Sequence, residues 1–181
     1  MSALTIASLN ATELAEHTEA LAEILRACVK DGAGVGFVQP FGIEAARGFW
    51  CDSVTPAVAN GTRVVLVARS DGAIAGTVQL GIDTMPNQLH RADVMKLLVH
   101  PSRQRRGVGR ALMTEIERVA LGLRRTLLTL DTVTGDKAEP LYRSLGYTLV
   151  GCIPNYARSA HGRGFDSTSI MFKELAAAEA A

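Results

Sequence analysis

The sequence predicts a single-domain α/β fold with the element order β-αα-βββ-α-β-α-ββ. Three observations carry this prediction. Short apolar or alternating runs that suit strands are interleaved with longer runs whose apolar residues recur at helical spacing. Ser70-Asp71-Gly72 is a turn signal between two strand-like runs and joins them as a hairpin. A chain of 181 residues falls in the ~100–200-residue range of one domain. Its hydrophobic content of 48% is ample for one core.

Leu4 to Leu9 alternates and reads as a first or edge strand. Asn10 or Thr12 then caps a helix running to about Lys30, with Leu14, Leu21, Ile24, Leu25 and Cys28 on its apolar side. The run from Asp31 to Phe37 is a glycine-rich break whose glycines precede no phosphate-loop lysine. A second helix fits Ile43 to Ala59, with Phe49 and Trp50 at its centre. Arg63 to Ala68 and Ile74 to Ile82 are the hairpin strands, and Thr84 to Leu89 is a loop. Ala92 to Val99 is the next strand. A long helix runs from about Gly107 to Leu121, and Gly122 ends it beside Arg124-Arg125. Thr126 to Leu130 is an apolar strand, and Lys137 to Leu145 is a short helix stopped by Gly146. Tyr147 to Cys152 and Ser169 to Lys173 are the last strands, with Pro154 and the Gly162–Gly164 region in the loop between them. No repeat or linker divides the chain. Residues 1–175 read as one domain and 176–181 as a short Ala-rich tail.

Nineteen basic against eighteen acidic residues give a net charge of +1, which argues against a nucleic-acid surface. Cys28, Cys51 and Cys152 form no C-x-x-C pair and no metal spacing, so reduced thiols and no metal are expected. Cys152 reads as a buried, inert thiol of an apolar strand. The N-terminus has no signal-peptide pattern and no apolar run reaches ~18 residues. The expectation is a cytoplasmic protein without a membrane partner, as a monomer or homodimer.

The chemistry concentrates at Gln104-Arg105-Arg106-Gly107-Val108-Gly109-Arg110, between the run Val94–Val99 and the long helix. Two glycines at a strand-to-helix junction let backbone N–H groups approach a ligand at the positive end of a helix dipole. Arg103, Arg105, Arg106 and Arg110 crowd the same place, where cations are unfavourable unless an anion is also present. The junction suits a phosphate-bearing ligand. A glycine-rich turn with solvated arginines is the alternative. No Lys-Ser/Thr pair follows Gly109, so this is not a P-loop, and Leu112 stands where the dinucleotide fingerprint needs glycine or alanine.

The spacing Q-x-x-G-x-G after Val99-His100-Pro101 resembles the acyl-CoA pyrophosphate loop of the GCN5-related N-acetyltransferases. A second motif of that family is Leu141-Tyr142-Arg143-Ser144-Leu145-Gly146-Tyr147, with Ala138 three residues before it. The element order also agrees. The resemblance implies that the loop N–H groups hold the pyrophosphate of acetyl-CoA. It implies too that the strand with Leu97, Leu98 and Val99 pairs with the pantetheine arm, and that the sheet splays around the ligand. Gly135 stands where many members carry an Asn that contacts the cofactor arm. Lys96-Leu97 before Val99-x-Pro101, Leu130-Asp131-Thr132, Gly135 with Ala138-Glu139, Gly151 with Pro154 and Tyr156, and Val35-Gly36-Phe37 look like the tabtoxin-resistance subgroup, whose members acetylate an amine of a toxic amino acid or dipeptide.

Acetyl transfer from a thioester requires a neutral amine, donors for the developing oxyanion, and a proton or hydrogen bond for the leaving thiolate. Attack can be direct, so no nucleophilic triad is needed. Asp93 and Asp131 are the candidate bases, both expected in the acceptor cleft, and holding the positive charge of the substrate is the other task they could share there. Each is attached to an otherwise apolar strand, a costly place for a charge without a task. Asp93 alternatively pairs with Arg91, and Asp131 alternatively caps the turn Thr132–Gly135. The family's matching tyrosine makes Tyr142 the candidate acid, with core packing as the other reading. Val35, Phe37, Asn155 and Tyr156, with the Trp50 helix, are candidates for the amine-binding wall. The expected function is transfer of an acetyl group from acetyl-CoA to a primary amine of a small molecule. Acetylation of a protein amino terminus or lysine, and a non-catalytic acyl-CoA-binding module, are the alternatives.

Overall fold

The computed structural model describes residues 4–176, so residues 177–181 of the expected tail lie outside the described residues. In chain order the strands are β1 (Thr5–Ser8), β2 (Arg63–Ser70), β3 (Ala73–Gly81), β4 (Arg91–Val99), β5 (Leu127–Val133), β6 (Thr148–Arg158) and β7 (Phe165–Glu174). The helices are α1 (Ala11–Glu16), α2 (Thr18–Lys30), α3 (Ile43–Gly48), α4 (Thr55–Ala59), α5 (Val108–Gly122) and α6 (Glu139–Ser144). The strands form one sheet in the order β1-β2-β3-β4-β5-β7-β6, and only β4 and β5 run parallel.

Alternation along the strands divides the core between the two faces of the sheet. Leu66, Val78, Leu80 and Val94 pack with Leu112, Met113 and Ile116 of α5. Val65, Val67 and Leu98 pack on the opposite side with Leu14, Leu21 and Leu25 and with Trp50. Leu112 is fully buried, and its loss from this close-packed layer leaves a cavity. Leu112→Ala is expected to lower stability by about 2–5 kcal/mol, read as a fall in the urea midpoint with an unchanged slope.

The parallel pair decides the shape of the site. β4 and β5 are in register only at Arg91–Leu127, Ala92–Leu128 and Asp93–Thr129. Beyond these rows β4 stays on β3, with Leu98 opposite Thr77, while β5 stays on β7, with Asp131 opposite Ile170. The two halves of the sheet therefore separate, as the family resemblance implied. A register shift opposite Thr77 to Gln79 accompanies the divergence, and Lys96 takes a left-handed backbone (φ 52°).

Several boundaries differ from the sequence reading. Asn10, not Thr12, is the first cap, and it forms a capping box with Glu13. The first helix divides at His17 (φ −104°, ψ 8°), whose ring lies 2.7 Å from the Arg69 guanidinium of β2. The second helical region contains a π-helical stretch, Phe49–Val54, ahead of Pro56 in the first turn of α4. Pro56 has no N–H to continue the regular ladder. Arg124 (φ 59°), not Gly122, takes the left-handed position after α5. β5 continues through Asp131 to Val133, so Asp131 sits within the strand and not at its end. β6 and β7 are longer than expected, because Pro154-Asn155-Tyr156 is absorbed as an irregularity of β6. β6 lies at the sheet edge, where a proline sacrifices no ladder bond. Cys152 on this edge strand is exposed, contrary to the expected burial.

Candidate active site

A cavity of about 710 Å³ opens where β4 and β5 part. The first turn of α5, helix α6 and the glycine-rich loop after α2 complete its walls.

One end is formed by the α5 junction. Arg105 (φ 62°) and Gly107 (φ 81°) turn the chain through left-handed conformations before the helix starts. Outside α5 itself, the N–H groups of residues 105–110 make no backbone hydrogen bond among the described residues. Free N–H groups at a helix N-terminus suit an anion. Gly109 leaves little spare room, since a Cβ there would lie 3.2 Å from a Leu141 methyl and 3.8 Å from a Val99 methyl. Gln104, Arg105, Gly107, Val108, Gly109 and Arg110 line this end, whereas Arg106 does not. The arginines do not all await a ligand. Arg103 pairs with Asp71 at 2.6 Å, and Arg110 donates to the Ser144 hydroxyl at 2.7 Å, tying α5 to α6. The Gln104 amide donates to the Val99 carbonyl at 3.2 Å and holds the loop against β4.

Leu97, Leu98 and Val99 of β4 and Tyr142 of α6 also wall the cavity. Tyr142 is 6% exposed and stands edge-on to Tyr147, ring centres 5.8 Å apart. Burial pushes its pKa up, and the charges of Asp131 and Asp136 push the same way, so the phenol keeps its proton at neutral pH. Glu139 fixes the loop leading into α6. Its carboxylate accepts the Gly135 N–H at 2.8 Å, the Arg143 guanidinium at 2.6 Å and the Ser169 hydroxyl at 3.3 Å. These bonds hold Glu139 below the ordinary carboxylate range, the Gly135 N–H contributing most. Cys28 also reaches the cavity, but burial raises its thiol to about 12, so it is not a thiolate nucleophile.

Val35, Phe37, Asp131 and Tyr156 are also on the cavity wall. Three predicted residues are not brought there. Asn155 and Arg106 do not line the cavity, and neither does Asp93. The Asp93 carboxylate accepts from the Arg91 guanidinium and from the Thr129 hydroxyl, at the row where β4 and β5 are still paired. The expectation that both acids share the cleft fails for that reason: Asp93 lies before the strands part, and Asp131 lies after. Trp50 is also not a wall residue; it is 1% exposed and packed in the core. Its neighbour Phe49 instead faces Lys96. Lys96 also lines the cavity, and in the sequence it stands out only as part of the Lys96-Leu97 motif. Among the described residues no group of three or more His, Cys, Asp or Glu could hold a metal ion, and no helix is long and apolar enough to cross a membrane.

Residues 61–149 match a family model described as the acetyltransferase (GNAT) domain. The yncA protein of Salmonella typhimurium, solved with its cofactor acetyl-CoA, is 19% identical with a TM-score of 0.75, covering 99% of this chain and 98% of its own. A ribosomal-protein-alanine N-acetyltransferase from Brucella melitensis is 21% identical with a TM-score of 0.75, covering 94% and 99%. A proposed phosphinothricin N-acetyltransferase is 19% identical with a TM-score of 0.75, covering 96% and 99%. At these identities the likeness establishes the fold, and the chain has the GNAT fold. With the domain match over residues 61–149, it supports an acetyl-CoA-dependent N-acetyltransferase.

Proposed function

We propose that the protein moves an acetyl group from acetyl-CoA to a primary amine of a small molecule, by direct attack. One observation carries the reading. One cavity is lined by the α5 junction with its free N–H groups, by Tyr142 and by Asp131. These are the groups that a long phosphate-bearing donor and a compact amine would need in one cavity. Arg105 and Gly107 to Arg110 hold the pyrophosphate in this reading, chiefly through backbone N–H groups. Leu97, Leu98 and Val99 hold the arm. When bound, acetyl-CoA supplies the thioester carbonyl that the amine attacks. The Tyr142 hydroxyl donates to the departing sulfur. Its raised pKa means that it donates a hydrogen bond while keeping its own proton.

Asp131 orients the acceptor nitrogen, and Val35, Phe37 and Tyr156 shape the pocket around it. Asp93 acts at a distance, as an anchor for Arg91 and Thr129 where the strands separate. The motif pieces that resemble the tabtoxin-resistance subgroup support an amino-acid-like acceptor. Protein amino-terminal acetylation is the second reading, since one structural neighbour bears that description.

Free-thiol release from acetyl-CoA, measured across amino acids, polyamines, amine antibiotics and peptides beginning with alanine, tests the reading. Turnover is expected on a small amine and not on the peptides. Turnover on peptides alone would replace it with the second reading, and binding of acetyl-CoA without any turnover would leave an acyl-CoA-binding module. With the acceptor in hand, Asp131→Asn is expected to raise its KM about 10–100-fold, the loss of one charge-assisted hydrogen bond. An unchanged KM would remove Asp131 from the acceptor site.

A further inference from the structure

Lys96 is a residue of the cavity whose chemistry the reading above leaves unused. It sits on β4 just beyond the last row shared with β5, on the left-handed backbone position that interrupts the register with β3. Its ammonium nitrogen is 5.9 Å from the centre of the Phe37 ring and 6.0 Å from that of Phe49. Gly36 (φ +89°) comes close to it, for a Cβ at that position would stand 3.5 Å from Nζ. Among the described residues no hydrogen bond or ion pair engages Nζ. A lysine drawn into an aromatic pocket with no carboxylate in ion-pair contact is costly as a cation. The alternative base suggested by the sequence, Asp93, already accepts from Arg91 and Thr129 and stands outside the cavity.

We propose, resting on the acceptor-amine reading, that Lys96 takes the proton from the acceptor nitrogen. One N–H bond of the incoming ammonium breaks and one forms at Nζ. The electron pair left on nitrogen attacks the thioester carbon. The C–S pair leaves with sulfur, and the second proton lost by the nitrogen ends on that sulfur, with Tyr142 donating to it meanwhile. Nζ then returns its proton to water through the open cavity, so the net products are amide, thiol and one proton.

The groups facing Nζ suit this cycle. Burial disfavours the ammonium and is the largest influence, so Lys96 titrates below the ordinary lysine value. Arg63 of β2 pushes the same way, whereas Asp131 of β5 opposes it. The loop carrying Phe37 and the π-helical stretch carrying Phe49 contribute rings near the outer limit of cation–π attraction. A base works best when it titrates near the operating pH. Asp131 in turn favours the ammonium that forms once the proton arrives.

Lys96→Met and Lys96→Arg test the assignment, with thermal midpoints as a folding control. Both variants are expected to lose about 10²-fold or more in kcat/KM at pH 7. Arginine fails as badly as methionine because its guanidinium accepts no proton. The methionine variant should approach wild-type rates as pH nears the acceptor's own pKa. Near-normal activity of Lys96→Arg, or a raised KM in Lys96→Met without recovery at high pH, would overturn the proposal in favour of a cation that anchors an acidic group of the acceptor. A second readout is independent of turnover. In protein carrying 13C at the lysine ε carbons, the resonance abolished by Lys96→Arg should titrate below the ordinary value of about 10.4. Titration at that value would exclude Lys96 as the base even if no acceptor is found. Absence of wild-type turnover with a lowered titration would instead fault the acetyltransferase reading.

Discussion

Gly109→Glu is expected to abolish acetyl-CoA binding. The substitution acts in two ways at one point. Its Cβ lies 3.2 Å from a Leu141 methyl and 3.8 Å from a Val99 methyl, so the new side chain has no slack on the α6 side and must enter the cavity. Its carboxylate then sits in the first turn of α5, where the helix dipole and the free N–H groups favour an anion. The protein would supply its own anion and repel the ligand's. Calorimetry should show no heat of binding at donor concentrations that saturate the wild type. Circular dichroism should remain native, because the position faces the cavity and not the core. Gly109→Ala separates the two effects: it keeps the steric term without the charge, and the end of Leu141 can give way, so a smaller loss is expected. Wild-type affinity in Gly109→Glu would remove the α5 junction as the pyrophosphate site.

The second large effect is expected from Tyr142→Phe. The change deletes one oxygen and keeps the ring that packs edge-on against Tyr147. Donor affinity should change little. The rate of the chemical step should fall by about 10²–10⁴-fold, the contribution of a positioned proton donor. The residue is the protonated phenol at neutral pH, because burial raises its pKa and Asp131 and Asp136 add to the rise. The wild-type rate should therefore show no loss between pH 7 and 9 from deprotonation of this hydroxyl. A variant with wild-type kcat in single-turnover experiments would reduce Tyr142 to a packing residue.

The order of elements, the hairpin at Asp71-Gly72 and the α5 junction were all legible in the chain, whereas the place of Tyr142 was implied only by the family resemblance. Their signals are local. A glycine pair opening an apolar-periodic run, or an alternating run bounded by a turn, needs nothing from elsewhere in the molecule. The breaks in the helices were not legible, because a distant partner contributes: His17 lies against Arg69, fifty-two residues away along the chain.

For the site, the same boundary between local and distant information applies. Asp93, Lys96 and Asp131 carry the same mark in the sequence, a charge within an apolar strand. That mark says only that each charge needs a partner or a task. It does not say which. Register supplies the answer. Asp93 belongs to the last row in which β4 and β5 are joined, so Arg91 and Thr129 are within reach and its charge is satisfied there. Lys96 and Asp131 belong to rows in which the strands have parted, so both face the cavity. The sequence by itself determined that this chain builds an α/β sheet with a glycine-bearing junction ahead of its long helix, since propensity, periodicity and glycine placement act over a few residues. Only the tertiary structure decided which strand charges are spent on the scaffold and which are left for chemistry, because that depends on where two strands thirty-six residues apart in the chain cease to pair.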